Sequence, residues 1–513
     1  MNVEFLSTPI DALPAAQWES TAARRSRPVP DTLRPAFAAT GAGAGRLDEL
    51  FAGDALCVTT GQQPGLFLGP LYTIYKALSA IALAERLQTR LARPVVPVFW
   101  VAGDDHDFLE AAQTYQVAAA GEVLRLALPD RAPEAPLTPM YREPLGPAVL
   151  PLLEALWQEL PDTEFRADIA GWLARHYTPE ATVAAAFGAA LADLLGEFGL
   201  VVFHPTHRAA KAAMAPLLIR ALEHAAPLDK ALARRSAALQ RDGATAPVPV
   251  GDGASLVMLE GTLGRDRLVM DDRAFHARRS GERHTLTELS ALAREAPERL
   301  SPNVLLRPVV EAALLPTVAY VGGPGELAYF PQCTPVYETL EVIPQIPVPR
   351  WSGRVVEART RKVLEKYDLT PDDLRLPEGQ LEQRLVRGDV PAEAEASLTA
   401  LRTALEREYD QLRDAATGID PTLRKPVEST RNAALAGVRD IEKRILSHLK
   451  QRNETLVQQV ARTRAALFPL GKPQERVLGV PAFLVRYGRG FVAAALAAVR
   501  LWAAALEATS DRP

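Results

Sequence analysis

The sequence predicts an α/β protein built on a doubly wound parallel sheet, with helical insertions and a separate helical arm. Apolar runs of strand length recur through the first 390 residues, with helix-like stretches between them. Most of these runs empty into polar or glycine-rich segments, as strands do where a ligand site lies beyond their carboxyl ends. After Pro391 the chain turns to Ala, Leu, Glu, Arg and Gln, the composition of long exposed helices.

The first clear unit is βαβ: LCVTT (56–60), the loop TGQQPGLFLGP, a helix from about Pro70 to Thr89, and VVPVFWVA (95–102). It implies a parallel pair with a right-handed crossover. Further strand signals follow at GLVVFHP (199–205), SLVMLEG (255–261) and LPTVAYVGG (315–323). A Pro-rich excursion at about 119–179 reads as a helical insertion. A second insertion covers about 225–300 and includes RDGATAPVPVGDG (241–253). In the arm, Leu398, Leu401, Leu405 and Leu412 recur at helical spacing, and Ile441, Ile445, Leu449, Leu456, Val460 and Leu467 continue a similar stripe. Between them, Gly418 is placed to end one helix and Asp420-Pro421 to start the next, giving an antiparallel hairpin. The expected organisation is a core over 1–390, an arm over 391–467 that pairs two chains, and a segment over 468–513 returning to the core.

Composition bounds the function. The 58 basic and 62 acidic side chains leave a formal charge of -4, which offers no whole-protein field for nucleic acid or an anionic membrane. The two cysteines, Cys57 and Cys333, sit in apolar stretches without metal or redox spacing and are expected as buried thiols. The opening MNVEFLSTPIDALP lacks a basic, then apolar, leader pattern, so a cytoplasmic protein is expected.

The segment PVFWVAGDDHDF (97–108) runs a strand into three carboxylates and a histidine. Like charges repel, so the cluster is either a solvated loop or one that a neighbour or ligand compensates. Asp104 or Asp105 is expected to cap a helix starting near Phe108. The remaining groups, with Asp107, are candidates to orient a ribose, an amine or Mg2+, and His106 is a candidate acid or base. Three carboxylates with one histidine suit either Mg2+ or no metal, and no zinc set is apparent.

Gly61, Gly65 and Gly69 match neither the dinucleotide fingerprint nor the Walker phosphate loop. Gly69-Pro70 still falls where a helix N-terminus offers N–H groups to an anion. Gln62 and Gln63 add amide donors and acceptors, and Tyr72 and Lys76 share one helix face. Downstream, Asn303 and Arg307 in SPNVLLRP and the turn Gly322, Gly323, Gly325, Glu326 combine a cation with pliant backbone, which suits a carboxylate or phosphate. Glu326 suits a substrate ammonium. A tight turn, a solvated lysine and a structural salt bridge are the plain alternatives. Of His204 and His207, one is expected in the core or on the surface and the other beside the site. GKPQERV (471–477) reads as a turn into a short helix.

Together, TGQQPGLFLGPLYTIYK, PVFWVAGDDHDF, LSPNVLLRPVVEAALLPTVAYVGGPGELAYF and GKPQERV, in that order over residues 60–477, resemble the bacillithiol-biosynthesis cysteine-adding enzymes of the BshC type. The resemblance implies a Rossmann-like core similar to class I aminoacyl-tRNA synthetases, and a coiled-coil arm that makes a homodimer. It implies a ligase that joins the carboxyl group of L-cysteine to the amine of glucosaminyl-malate, the last step towards bacillithiol. Because an amine does not attack a free carboxylate at a useful rate, ATP, with Mg2+, is the expected activator. On that reading Gly61, Gly69, Pro70, Gly322, Gly323 and Gly325 hold the nucleotide, while Lys76, Asp104, Asp105 and His106 act in catalysis. Gln62, Gln63, Tyr72, Asp107, Asn303, Arg307 and Glu326 hold substrate.

The sequence departs from the synthetases at two points: FLGPLYTIYK stands where their two histidines flank a glycine, and there is no lysine-rich second loop, VPRWSGR (348–354) at its location being only a weak match. Two other readings stay open, a different nucleotidyl-transfer enzyme and a non-catalytic coiled-coil scaffold that binds metabolites.

Overall fold

The structure, a computed structural model, describes residues 3–8, 16–25, 28–272, 274–387 and 390–506. They form two compact units, one made of Phe5–Val355 with the segment from Gln474 onward, the other chiefly of Val356–Pro473.

The first unit is built on six strands: β1 (Phe37–Ala38), β2 (Leu56–Gln62), β3 (Val95–Val101), β4 (Val201–Phe203), β5 (Thr317–Gly322) and β6 (Ile346–Pro349). Their spatial order is β6-β5-β2-β3-β4-β1. All neighbours are parallel except β1, which runs antiparallel to β4. Register places Gln62 beside Val101 and Gly322 beside Pro349, so the carboxyl ends of β2, β3, β5 and β6 share one rim.

The helix Leu71–Leu91 crosses from β2 to β3. It is buried almost all round from Leu71 to Ala84, because one side lies on the sheet and another under the helix Gly490–Ala505. Strand periodicity sorts the β3 side chains. Val96, Val98 and Trp100 join Met214 and Leu218 of the helix Arg208–Glu223 in one apolar cluster. Phe99 points the other way and meets Phe187 with ring centroids 5.9 Å apart. Helices thus cover both faces, as a doubly wound sheet requires.

The second insertion carries a sheet of its own. SLVMLEG does form a strand, Ala254–Gly261, but in a separate five-stranded antiparallel sheet with Gly264–Asp271, Ala274–Ala277, Arg283–Thr285 and Leu300–Pro302. The reason is local: Gly261 pairs with Gly264 across a two-residue turn, and Gly264 takes φ +81°, so the chain reverses and pairs with itself. The excursion at 119–179 holds helices Val149–Glu159 and Arg166–His176, and also the strand Val123–Ala127, paired with Gln113–Val117. Cys57 and Cys333 are buried free thiols, and burial pushes the Cys333 thiol up to about 12.

In the second unit, helices Ala392–Ile419 and Arg424–Arg452 form a hairpin. Ion pairs Arg402–Glu442 at 3.1 Å and Arg431–Asp410 at 3.8 Å fix the antiparallel sense. Gly418 does not end the first helix, which runs on to Ile419. The reversal begins at Asp420, whose side chain accepts the Thr422 N–H at 2.8 Å ahead of Pro421. Helix Glu454–Leu467 follows and buries Val460 and Leu467. Leu401, Leu412 and Ile441 of the hairpin stay 46%, 52% and 50% exposed. Among the described residues no single helix is long and apolar enough to cross a membrane.

Candidate active site

A cleft of about 420 Å3 opens at the carboxyl rim of β2, β3, β5 and β6. It gathers Gly61, Gln62 and Gln63 from β2 and its loop, and Tyr72 and Lys76 from the first turns of the helix Leu71–Leu91. Asp104 and Asp105 come from the loop after β3, Asn303 and Arg307 from the start of the helix Arg307–Leu314, and Gly323, Gly325 and Glu326 from the turn after β5. Residues more than 260 positions apart therefore share one cavity because the parallel register aligns their strand ends.

Lys76 forms the floor. Its ammonium, with only 3% of the side chain exposed, donates to the Gly61 carbonyl at 2.7 Å and to Gln62 Oε1 at 2.9 Å, and is ion-paired with Glu326. Burial pulls the Lys76 pKa down, opposed by Glu326. Burial pushes Glu326 up, but Lys76 and Arg307 prevail and hold its carboxyl below the usual range. Glu326 also accepts the Gly323 N–H at 2.8 Å and the Tyr320 hydroxyl, so it caps its own short helix while balancing the lysine. Arg307 lies over the Tyr320 ring at 4.9 Å and pairs with fully buried Glu311 at 3.0 Å. Burial raises the pKa of Glu311, whose other oxygen accepts the Thr59 hydroxyl.

The acidic loop divides its labour. Asp104 is compensated by Lys211, a fully buried lysine from the helix Arg208–Glu223, at 2.5 Å. Burial pulls the Lys211 pKa down against the pull of Asp104. Asp105 accepts the backbone N–H groups of His106 and Asp107 at 2.7 and 3.1 Å through one oxygen, which leaves the other for the cleft. The helix cap is Asp107, not Asp104 or Asp105: it accepts the Glu110 N–H at 3.1 Å because it stands directly before Phe108.

Several expected residues do not reach the cavity. His106 is off its lining, with Nδ1 buried and unpartnered, and burial followed by the Arg265 charge lowers its pKa. Asp107 is engaged in capping and lies outside the lining. Gly322 stays inside the sheet, paired to Pro349. Gly69 and Pro70 are packed against the Leu478–Gly479 segment: Pro70 bridges Gly479, and the Leu71 N–H donates to the Leu478 carbonyl at 2.7 Å. That helix start is therefore closed to an anion from the cleft. His204 packs against Gly188 and His207 caps its helix through Nδ1, so neither histidine lines the cleft.

The sequence alone did not single out Lys211, Glu110, Arg265, Tyr320, Tyr329, Arg350 or Arg476, of which all but Lys211 line the cleft. The signal for Lys211 was the demand that Asp104 be compensated. Arg476 sits within GKPQERV, where its neighbour Glu475 binds the Arg350 guanidinium at 3.0 and 2.5 Å. The cleft thus presents ammonium, guanidinium, carboxylate and amide groups at fixed positions, and Arg350 lies 5.7 Å from the centre of the Tyr72 ring. Such a set suits zwitterionic or anionic small molecules better than an apolar ligand.

Residues 32–351 match the family described as "Bacillithiol biosynthesis BshC, N-terminal Rossmann-like domain", and residues 354–500 match its C-terminal coiled-coil domain. A Salinibacter ruber protein named "Putative cysteine ligase BshC" is 33% identical over 439 residues, covering 85% of this chain and 79% of the relative. Proteins of the same name from Symbiobacterium thermophilum (33%, covering 86% of this chain and 81% of the relative) and Koribacter versatilis (32%, covering 85% and 81%) are similarly close. With both family domains matched in order, and the Rossmann-like one supplying all of the cleft lining except Arg476, the chain belongs to the bacillithiol-biosynthesis BshC family.

Proposed function

We propose that this chain is a cytoplasmic ligase that joins the carboxyl group of L-cysteine to the amine of glucosaminyl-malate, forming an amide and completing bacillithiol. The observation that carries the reading is the convergence of compensated and open charges of both signs on one rim of a Rossmann-like sheet, in a family whose relatives are named for cysteine ligation.

The chemistry divides among residues by position. Lys76, fixed by Gly61, Gln62 and Glu326, offsets negative charge that grows on the cysteine carboxyl oxygens. Asp105, with one oxygen on backbone N–H groups, uses the other to take the proton of the attacking amine. That role falls to Asp105 rather than His106, which lies off the lining. Gln62, Gln63, Tyr72, Asn303 and Arg307 orient the substrates. Activation of the carboxyl group comes from ATP, which when bound supplies a better leaving group. The turn at Gly323 and Gly325 would hold it, since a Cβ at Gly325 would meet nothing within 4 Å and the Gly69-Pro70 helix start is closed. Among the described residues no group of three His, Cys, Asp or Glu is placed to hold a metal, so Mg2+ would be carried by the ATP phosphates and waters with at most one or two carboxylates, and no step is assigned to it. The half-exposed leucines of the hairpin support pairing of two arms as a homodimer.

The test is mass spectrometry of the purified protein with cysteine and glucosaminyl-malate, with and without ATP and Mg2+. Bacillithiol formed only with ATP, accompanied by AMP or ADP, supports the reading. Intact substrates in every mixture, with folded protein, overturn it.

A further inference from the structure

The charges that line the cleft do not all cancel within it. Lys76 is balanced by Glu326, Arg307 by Glu311 and Arg350 by Glu475. Among the described residues two lining cations have no carboxylate partner. One is Arg265, whose Nε and Nη2 are engaged by Ser301 Oγ at 3.0 Å and the Pro302 carbonyl at 2.8 Å. The other is Arg476, exposed and with no hydrogen-bond or ion-pair partner among the described residues.

The backbone beneath Arg476 is pinned on both sides. Buried Gln474 accepts the Val355 N–H at 2.8 Å and donates to the Val355 carbonyl at 3.1 Å. Glu475 clamps Arg350 and also accepts the Ser352 hydroxyl at 2.8 Å and the Gly353 N–H at 3.2 Å. Val477 and Leu478 are buried behind it. A fixed backbone that offers one free guanidinium to a cleft is a pre-organised receptor for a planar anion.

We propose that Arg476 is the specificity residue for the acceptor, taking a carboxylate of its malyl group; the inference rests on the ligase reading above. The cysteine carboxyl must react at the Lys76 floor, so a free cation at the exposed edge is unsuited to hold it. The malyl dicarboxylate is the anionic end of the acceptor, remote from the reacting amine, and it belongs at that edge when the amine reaches Asp105. GKPQERV is on this account an anion-recognition segment: Gln474 and Glu475 anchor it and Arg476 reads the ligand.

The test uses the full chain and the variants Arg476→Gln and Arg476→Lys, with calorimetric binding of glucosaminyl-malate and of methyl glucosaminide, which lacks carboxylates. Loss of a charge-assisted hydrogen bond predicts about ten- to hundredfold weaker glucosaminyl-malate binding in Arg476→Gln, with partial rescue by Arg476→Lys. Binding of methyl glucosaminide, the KM values for cysteine and ATP, and the unfolding temperature stay at wild-type values, because Arg476 has no hydrogen-bond or ion-pair partner among the described residues to lose. Unchanged glucosaminyl-malate binding, equal weakening of both glucosaminides, or a KM change confined to ATP overturns the assignment while leaving the ligase reading intact. Wild-type protein that binds no glucosaminyl-malate overturns the ligase reading and this inference with it.

Discussion

Glu475 binds both terminal nitrogens of Arg350, 125 residues earlier in the chain, and the two side chains are only 7% and 5% exposed. The pair ties the strand end that carries Arg350 to the segment that carries Arg476. Glu475→Gln leaves a buried guanidinium without its counter-charge, and a loss of about 3 kcal/mol is expected. Urea unfolding measures it, and Glu475→Gln at wild-type stability contradicts the structural role given to the pair.

Lys76 and Glu326 form a second enclosed pair, and here stability and catalysis separate. Lys76→Met strands the Glu326 carboxylate, and Glu326→Gln strands the ammonium; each lowers stability by roughly 3 kcal/mol. The double variant recovers most of that loss. On the proposed ligase reading, turnover falls at least about a hundredfold in every variant lacking Lys76, because the charge proposed to meet the developing oxyanion is gone. A stable double variant with normal turnover removes Lys76 from the mechanism.

Asp104 and Lys211 are the third pair, and Lys211 is wholly enclosed. Asp104→Asn removes the only ion-pair partner of Lys211 among the described residues, while the more distant Glu260 charge and the Leu300 carbonyl at 2.9 Å remain. Burial then pulls the Lys211 ammonium towards its neutral form. Stability drops by about 2 kcal/mol, and the deficit narrows as the pH is raised and the lysine gives up its proton. A deficit independent of pH between 7 and 10 contradicts this account.

The pH response on the acid side is carried in part by His204. Burial lowers its pKa from the ordinary 6.5 to about 4. Between those values the unfolded chain takes up a proton that the folded chain refuses, so stability falls as the pH drops through that window. His204→Asn removes this contribution, and its unfolding midpoint is less steep between pH 6.5 and 4 than that of the wild type, by thermal scans at matched ionic strength.

For the arm, Leu401, Leu412 and Ile441 are exposed apolar groups on the hairpin. Charging them together, as Leu401→Glu, Leu412→Glu and Ile441→Lys, converts the expected dimer to a monomer in light scattering without lowering helix content in circular dichroism. A wild-type monomer at micromolar concentration rules out pairing through the arm.

Continuous apolar runs made β2, β3 and β5 readable, since strands covered on both faces carry little else. The strand β6 was not readable, because Pro347 and Pro349 mark a non-strand segment unless it lies at a sheet edge, where it does lie. Ala254–Gly261 is legible as a strand but its sheet is not: an apolar run reports burial, not partner, and the informative residues are the glycines of the reversal. At the site, loops that directly follow strands were legible as candidates. Lys211, Arg350 and Arg476 were not, because each acquires its meaning only through tertiary contacts. Lys211 in particular looks like an ordinary solvent-facing lysine in an Ala-rich helix until the fold sets it beneath Asp104.

The cleft is assembled from residues between Gly61 and Arg476, with the whole hairpin intervening before its last piece arrives. During synthesis, β2, β3 and the acidic loop leave the ribosome long before the Gln474–Arg476 turn exists, and chains fold from the N-terminus as they emerge. A nascent chain can therefore settle its central strands while Arg350 still waits for Glu475. Competence to bind substrate comes late, as a single event, when the chain has passed through the entire arm and returned to close the rim.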